Sequence, residues 1–109
     1  MNQPKIETLV NAGLKLCTEI EDAVIAENVG LALENTARLQ IKTEELAGAD
    51  PLGKLAYTIA TECLAAALLD GNLVRITAGL HILRMMLAEE ISPALVQTYL
   101  NAPPRIGAA

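Results

Sequence analysis

Apolar residues in this chain recur mainly every three or four positions rather than alternating one by one with polar residues. The first such series consists of Ile6, Leu9, Val10, Gly13, Leu16, Cys17, Ile20 and Val24. This spacing places side chains on one face of an α-helix, whereas a half-buried strand needs a period of two. Apolar residues make up 52% of the chain and aromatic residues only 2%, so the core must be aliphatic, as in packed helices. The sequence predicts an all-α fold.

Turn and capping residues divide the chain into helices. The predicted main helices span residues 4–26, 29–47, 52–69 and 73–88. Asn28 and Asn72 are suited to cap helix starts, and Gly48 is suited to end a helix. After Ser92-Pro93 we expect a short fifth helix. The prediction is an antiparallel bundle of two stacked helical hairpins, forming a single domain over residues 1–101 with an extended or disordered tail over residues 102–109.

The second and third predicted helices each carry an apolar stripe that we expect to face the core. In the second helix the stripe is Val29, Leu33, Ala37 and Ile41, widened by Leu39 and Leu46. In the third it is Leu52, Leu55, Ala56, Ile59, Ala60, Cys63, Ala66 and Ala67. Because several members of the third stripe are small, they would allow a neighbouring helix to approach closely.

Residues 48–55 read GADPLGKL and match a phosphate-binding loop except at the last position. Leu55 stands where such a loop has a Ser or Thr that binds magnesium. A phosphate loop also follows a strand, whereas this segment follows a predicted helix, and Asp50-Pro51 is typical of a helix start. We interpret the segment as a joint between two helices.

The formal net charge of −5 is unevenly distributed along the chain. Residues 1–50 contain nine acidic and four basic residues, while residues 51–109 contain four of each. An acidic chain without a basic run is poorly suited to bind nucleic acid or an anionic membrane. Charged residues interrupt each apolar run before it reaches the ~20 residues that span a bilayer, and no signal-peptide pattern begins the chain. We therefore expect a cytoplasmic protein with neither nucleic acid nor membrane as its partner.

Few residues could carry chemistry. Cys17 and Cys63 lack the spacing of a metal or redox motif and are interpreted as small apolar residues on buried helix faces. His81 is the only histidine, and neither an orienting carboxylate nor a nucleophile accompanies it in the local sequence. We expect no enzymatic activity, no metal and no cofactor.

The fourth predicted helix is apolar in nearly every direction, which is typical of a helix buried on all sides. One chain of 109 residues would not cover it, so we expect a homo-oligomer, most simply a two-fold dimer joined through the C-terminal half. The predicted interface residues are Ile82, Arg84, Met85, Met86 and Leu68. Arg84 could then pair with Glu89 of the partner subunit or Glu90 of the partner subunit.

Two functional interpretations follow from these patterns. The first is a small acidic, non-enzymatic helical protein that self-associates and acts by protein–protein interaction, as an adaptor, a chaperone or an inhibitor. Its partners would be its own second copy and another protein. The alternative is an oligomeric binder of a small anionic ligand, in which Arg75, His81 and Arg84 hold the anion. His81 and Arg84 would be neighbours on one face of the fourth helix.

Overall fold

The computed structural model describes residues 3–91 and, beyond them, Ala94, Gln97, Thr98 and Asn101. Four helices account for nearly all of this part of the chain: α1 Gln3–Ile25, α2 Val29–Ala47, α3 Pro51–Asp70 and α4 Leu73–Glu89. No strand occurs among the described residues. The predicted all-α fold and its four helix boundaries are confirmed. The predicted fifth helix and the tail lie outside the described residues, except for the four residues named above, which are helical.

The four helices form an antiparallel bundle of two hairpins, α1–α2 and α3–α4. Each helix packs against the next one in sequence, and α1 also packs against α4, which closes the bundle. Within the four described helices, the diagonal pairs α1 with α3 and α2 with α4 have no Cα atoms within 8 Å of each other. The connections are only two or three residues long, and such short connections require antiparallel neighbours.

Each connection contains the capping residues that its sequence predicts. Asn28, Asp50 and Asn72 each accept a hydrogen bond from a backbone amide two or three residues ahead, at 3.1–3.2 Å. Gly48 and Gly71 end α2 and α3 with φ of 59° and 67°, values that residues with a Cβ rarely adopt. The boundaries of α2, α3 and α4 therefore follow from local chemistry.

The GADPLGKL segment is a joint between helices, as predicted. Two of its backbone amides donate hydrogen bonds to Asp50: the Leu52 amide to the carboxylate and the Lys54 amide to the carbonyl. Gly53 lies in the first turn of α3, and a Cβ added there would meet Asp50 Oδ2 at 2.8 Å. The glycine thus makes room for the capping carboxylate.

The hydrophobic cluster of the core lies between the helices, and its buried members are aliphatic apart from Cys17 and Tyr57. Its most deeply buried large side chains include Val10, Ile20, Leu39, Leu64, Leu80, Leu83 and Leu87. At Gly13, α1 comes so close to α4 that an added Cβ would lie 3.0 Å from both terminal methyl carbons of Leu87. The core is therefore closely packed at this crossing.

The expected orientation of the apolar stripes on α2 and α3 is largely wrong. Ile41 is 57% exposed, and Leu52 and Ile59 are 77% and 52% exposed. The buried face of α2 is instead Ala32, Asn35, Thr36, Leu39 and Thr43, and that of α3 is Tyr57, Thr61, Leu64, Ala67 and Leu68.

Hydrogen bonds of threonine side chains explain how the partly polar faces of α2 and α3 can be buried. The hydroxyls of Thr36 and Thr61 donate to carbonyls four residues earlier in the same helix, at 2.8 and 3.0 Å, and Thr43 donates to the carbonyl of Gln40 at 2.9 Å. A hydroxyl that is satisfied within its own helix can be buried at little cost.

We predict that Asp50→Ala lowers the free energy of unfolding by about 1 kcal/mol, because α3 loses its N-terminal cap. Lys54→Ala should leave stability nearly unchanged, since this side chain is exposed. Chemical denaturation measures both effects. A melting temperature raised by ATP in the parent and not in Lys54→Ala would contradict the interpretation of the segment as a simple joint.

Candidate interaction surface

The residues predicted to form an interface lie on different sides of the bundle. Ile82 is exposed, and Met85 and Met86 are half-buried. Leu68 is only 2% exposed and belongs to the core of the single chain, so it has no surface to offer a second subunit. Arg84 is directed toward α1 rather than outward. Of the predicted set, Ile82 is the side chain most available to a partner.

Arg84 forms an ion pair within the chain, with Glu21 of α1. Its Nη2 lies 3.3 Å from Glu21 Oε1, and the two side chains are 15% and 2% exposed. The same nitrogen lies 3.5 Å from the Thr18 hydroxyl oxygen. The sequence-based expectation placed the Arg84 partner on another subunit, but the partner found here is this near-buried carboxylate. The pair joins the first helix to the last.

The three candidate anion-binding residues do not share a face of α4. Arg75 and Arg84 are nine residues apart in one continuous helix, which places them about half a turn out of phase at 3.6 residues per turn. His81 is half-buried on the same side as Arg84, whose charge is already engaged by Glu21. Within one chain, these three side chains therefore do not converge on a common site.

Two buried groups have pKa values raised by their surroundings. Burial raises the pKa of the Cys17 thiol from 9.0 to about 12, with Arg84 lowering it and Glu21 raising it by smaller amounts. Burial also raises the pKa of the Tyr57 hydroxyl, and the nearby Glu90 carboxylate raises it further. That hydroxyl lies 3.2 Å from Glu90 Oε1 and 3.4 Å from the Met86 carbonyl oxygen, linking α3 to the end of α4. Both groups are held neutral and have structural roles.

The most unusual surface is an apolar face shared by α3 and α4, which we name the α3–α4 face. It comprises the exposed residues Leu52, Leu55, Ala56, Ile59, Cys63, Ala66, Leu69, Leu73, Val74, Ala78 and Ile82. Leu69 and Val74, beside the turn between the helices, are 72% and 76% exposed. On α3, several of these residues lie opposite the buried side, where a surface helix of a bundle normally carries charge.

A shallow groove of about 390 Å³ runs between the two helices on this face. It is lined by Ala56, Ile59, Ala60, Cys63, Gly79, Ile82 and Met86. The groove exists because small residues lie along both helices at this level. At Gly79 the backbones approach so closely that an added Cβ would lie 3.8 Å from the Cα of Leu64. Nearly all of its lining is apolar, which suits another protein's side chains better than a polar ligand.

Helix α3 is also the one described helix that is long and apolar enough to cross a membrane, judged by length and composition only. Its mean hydropathy reaches 1.4, and 28% of the tested segment is buried. One such helix is weak evidence for a membrane span, because core helices of soluble proteins meet the same criterion. Tyr57, Leu64 and Leu68 pack this helix into the bundle.

Among the described residues, no group of three or more His, Cys, Asp or Glu side chains could hold a metal ion. No protein-family model matches the chain, and no curated protein and no solved structure is significantly similar to it.

Sequence reasoning found α3 apolar all round in its last turns but did not identify which of its apolar sides is buried. The side with Leu64 and Leu68 is buried, and the side with Leu52, Leu55 and Ile59 is exposed. Residues 63–69 read CLAAALL and are apolar all round. A helix of that kind offers two possible core faces, and its own pattern does not decide between them.

We predict that Glu21→Gln lowers the free energy of unfolding by about 3 kcal/mol, because it leaves the shielded Arg84 charge without its carboxylate. The matched control is Glu34→Gln. Glu34 pairs with Arg38 at 3.8 Å with both side chains more than half exposed, so its loss should cost about 0.5 kcal/mol or less. Urea denaturation compares the two variants, and equal losses would refute the structural role of the Glu21–Arg84 pair.

We also predict that the free energy of unfolding falls as the pH rises from 9 toward 12. In this range Cys17 stays protonated in the folded state, whereas it loses its proton in the unfolded state. The folded state then binds more protons, so raising the pH favours unfolding. Denaturation of Cys17→Ala over the same pH range should show a shallower decline. A decline equal to that of the parent would remove Cys17 as its cause.

Proposed function

We propose that this protein is a non-enzymatic helical interaction module that forms a two-fold dimer through its α3–α4 face. In this proposal the dimer acts by binding another protein, as an adaptor, a chaperone or an inhibitor does. The observation that carries the proposal is the run of exposed Leu, Ile and Val side chains on α3 and α4. Soluble proteins seldom leave this many large apolar side chains exposed on two neighbouring helices.

The size of the face is compatible with a small dimer interface. Helix α3 contains 20 residues and is therefore about 30 Å long. With α4 beside it, the face is about 20 Å wide, which corresponds to about 600 Å² per chain and about 1,200 Å² for two copies. The larger figure lies at the lower end of the range for specific interfaces. A second copy of the same face supplies the matching apolar surface.

The distribution of charge along the chain supports a dimer joined through α3 and α4. Residues 51–109 contain equal numbers of acidic and basic residues, so two C-terminal hairpins can approach without net repulsion. The excess of acidic residues lies in residues 1–50, which form the other hairpin. Joining the chains through α3 and α4 keeps the acidic hairpins apart.

The non-enzymatic part of the proposal is supported by the state of the candidate nucleophiles. Cys17 is buried, and its pKa of about 12 keeps it a thiol rather than the thiolate that attacks substrates. Cys63 is exposed on the α3–α4 face. The other residues that line the groove beside it are apolar, and none of them is a base that could activate the thiol.

Light scattering coupled to size exclusion tests the dimer. We expect a mass twice the chain mass of 11.5 kDa at micromolar concentration. Ile59→Glu should return the mass to that of one chain, because it places a charge in the middle of the interface. The matched control is Ile25→Glu at the end of α1, where the parent residue is 56% exposed, close to the 52% of Ile59. A parent of single-chain mass, or a dimer that survives Ile59→Glu, would disprove this interface.

Thiol cross-linking tests the geometry of the dimer. Cys63 is exposed and lies near the middle of α3, while Cys17 is buried. In a two-fold dimer centred on α3, two copies of Cys63 lie near the axis, so a short bis-maleimide should join the chains. The product should be absent in Cys63→Ser and in Ile59→Glu, and present in Ile25→Glu. A doubled mass without this product would place the interface elsewhere on the molecule.

A third measurement tests whether lipid, rather than a second copy of the chain, covers the apolar α3–α4 face. Flotation with neutral phosphatidylcholine vesicles should leave the protein in solution, because the α3–α4 face is covered by the second copy. Co-flotation of the parent that is lost in Ile59→Glu would replace the dimer with a membrane-bound form.

A further inference from the structure

A second groove lies on the other hairpin, between α1 and α2. Its volume is about 310 Å³, and its lining consists of Ala12, Lys15, Leu16, Glu19, Arg38, Ile41 and Lys42. Ala12, Leu16 and Ile41 supply the apolar part, and Ile41 projects from it with more than half of its surface exposed. This groove is separate from the α3–α4 face, since the two share no residue or helix.

The lining of this groove is opposite in charge to the chain around it. Residues 1–50 contain four basic residues, Lys5, Lys15, Arg38 and Lys42, and three of the four line this groove. With Glu19 as the one acidic lining residue, three positive charges and one negative charge give the lining +2, whereas the whole chain carries −5. Glu34 and Glu45, which pair with Arg38 and Lys42, offset two of these charges and bring the groove with its rim to about neutral. An acidic ligand is therefore repelled less at this groove than by the rest of this acidic chain.

Two of these cations already have exposed partners on α2. Arg38 lies 3.8 Å from Glu34, and Lys42 lies 3.9 Å from Glu45, with all four side chains between 41% and 60% exposed. Ion pairs that are this exposed and this long contribute little to stability. A carboxylate brought by a ligand can therefore add to them or replace them at little cost.

The dimensions of the groove indicate what fits. On α1 its lining runs from Ala12 to Glu19, and seven steps of about 1.5 Å make it about 10 Å long, or about two helical turns. The groove is open along its length, so it would enclose little of a small molecule. It matches one apolar stripe of a helix with acidic residues on both flanks, laid along the hairpin.

We propose that the α1–α2 groove binds an acidic amphipathic helix of a partner protein. The partner's apolar side chains contact Leu16 and Ile41, and its Asp or Glu residues pair with Lys15, Arg38 and Lys42. This inference rests on the protein-binding part of the proposed function, to which it adds the partner's chemistry. It does not require the dimer, because the groove is complete within one chain.

Binding of a designed peptide tests this proposal. The probe is a fluorescein-labelled helical peptide of about 18 residues, long enough to form helix in water, with Leu at three- and four-residue spacing and Glu on both flanks. The comparison peptide has every Glu replaced by Lys. Fluorescence anisotropy should show the acidic peptide binding at least ~10-fold more tightly than the basic one. Raising the salt from about 50 mM to about 500 mM should weaken that binding.

Matched variants locate the binding site. The double variant Arg38→Gln with Lys42→Gln should lower the affinity for the acidic peptide by about tenfold. The control, Lys54→Gln with Arg75→Gln, removes one Lys and one Arg from exposed positions on the other hairpin and should leave the affinity unchanged. Ile41→Ser should also weaken binding without unfolding the protein, because its side chain is largely exposed.

Three results would overturn the proposal: equal binding of the two peptides, equal effects of the two double variants, or no effect of Ile41→Ser. Repeating the titration in the Ile59→Glu background separates this inference from the proposed dimer. Binding retained there supports the groove whatever the mass of the parent. Binding lost there, with the mass reduced to one chain, would assign the peptide site to the dimer and contradict the location proposed here.

Discussion

A four-helix bundle can turn only one side of each helix toward its core, and this chain has more apolar sides than that. Helix α3 carries an apolar side on Leu64 and Leu68 and another on Leu52, Leu55 and Ile59. Only the first can be inside, so the second must lie on the surface. The exposed α3–α4 face follows from this surplus, and the self-association proposed above is a way to cover it.

Some of the space in the core is taken by polar groups that satisfy one another. Buried threonines on α2 and α3 bond to carbonyls of their own helices, and Glu21 meets Arg84 between α1 and α4. Such groups contribute little net stability compared with aliphatic packing. The threonine hydroxyls keep their partners however their helices rotate, but the Glu21–Arg84 pair is lost if α1 or α4 rotates, so this pair allows few alternative arrangements. This is a physical reason for the bundle to adopt one packing although its apolar pattern permits others.

The ends of the helices were predictable from the sequence. The rotation of each helix about its own axis, which determines the side that faces the core, was not. Asn28, Asp50, Gly71 and Asn72 act on neighbouring backbone groups, so the helix boundaries could be read within one or two residues. The inward side of a helix depends on all its neighbours at once. Ile41 was expected inside because it continues a four-residue spacing, yet Thr43 is buried because its hydroxyl is satisfied locally. The ion-pair partner of Arg84 lies 63 residues away in sequence, beyond any local pattern.

The two hairpins carry different surfaces, and this determines how many partner sites a dimer would have. The apolar α3–α4 face and the basic-lined α1–α2 groove use different helices, so occupying one leaves the other open. An assembly of two chains joined at α3 and α4 would display two identical grooves pointing away from each other. A partner carrying two acidic helices on a linker long enough to span them would gain avidity, because its second attachment becomes intramolecular. Short linkers would instead crosslink several assemblies into a network, so the partner's linker length would select between a closed complex and an extended one.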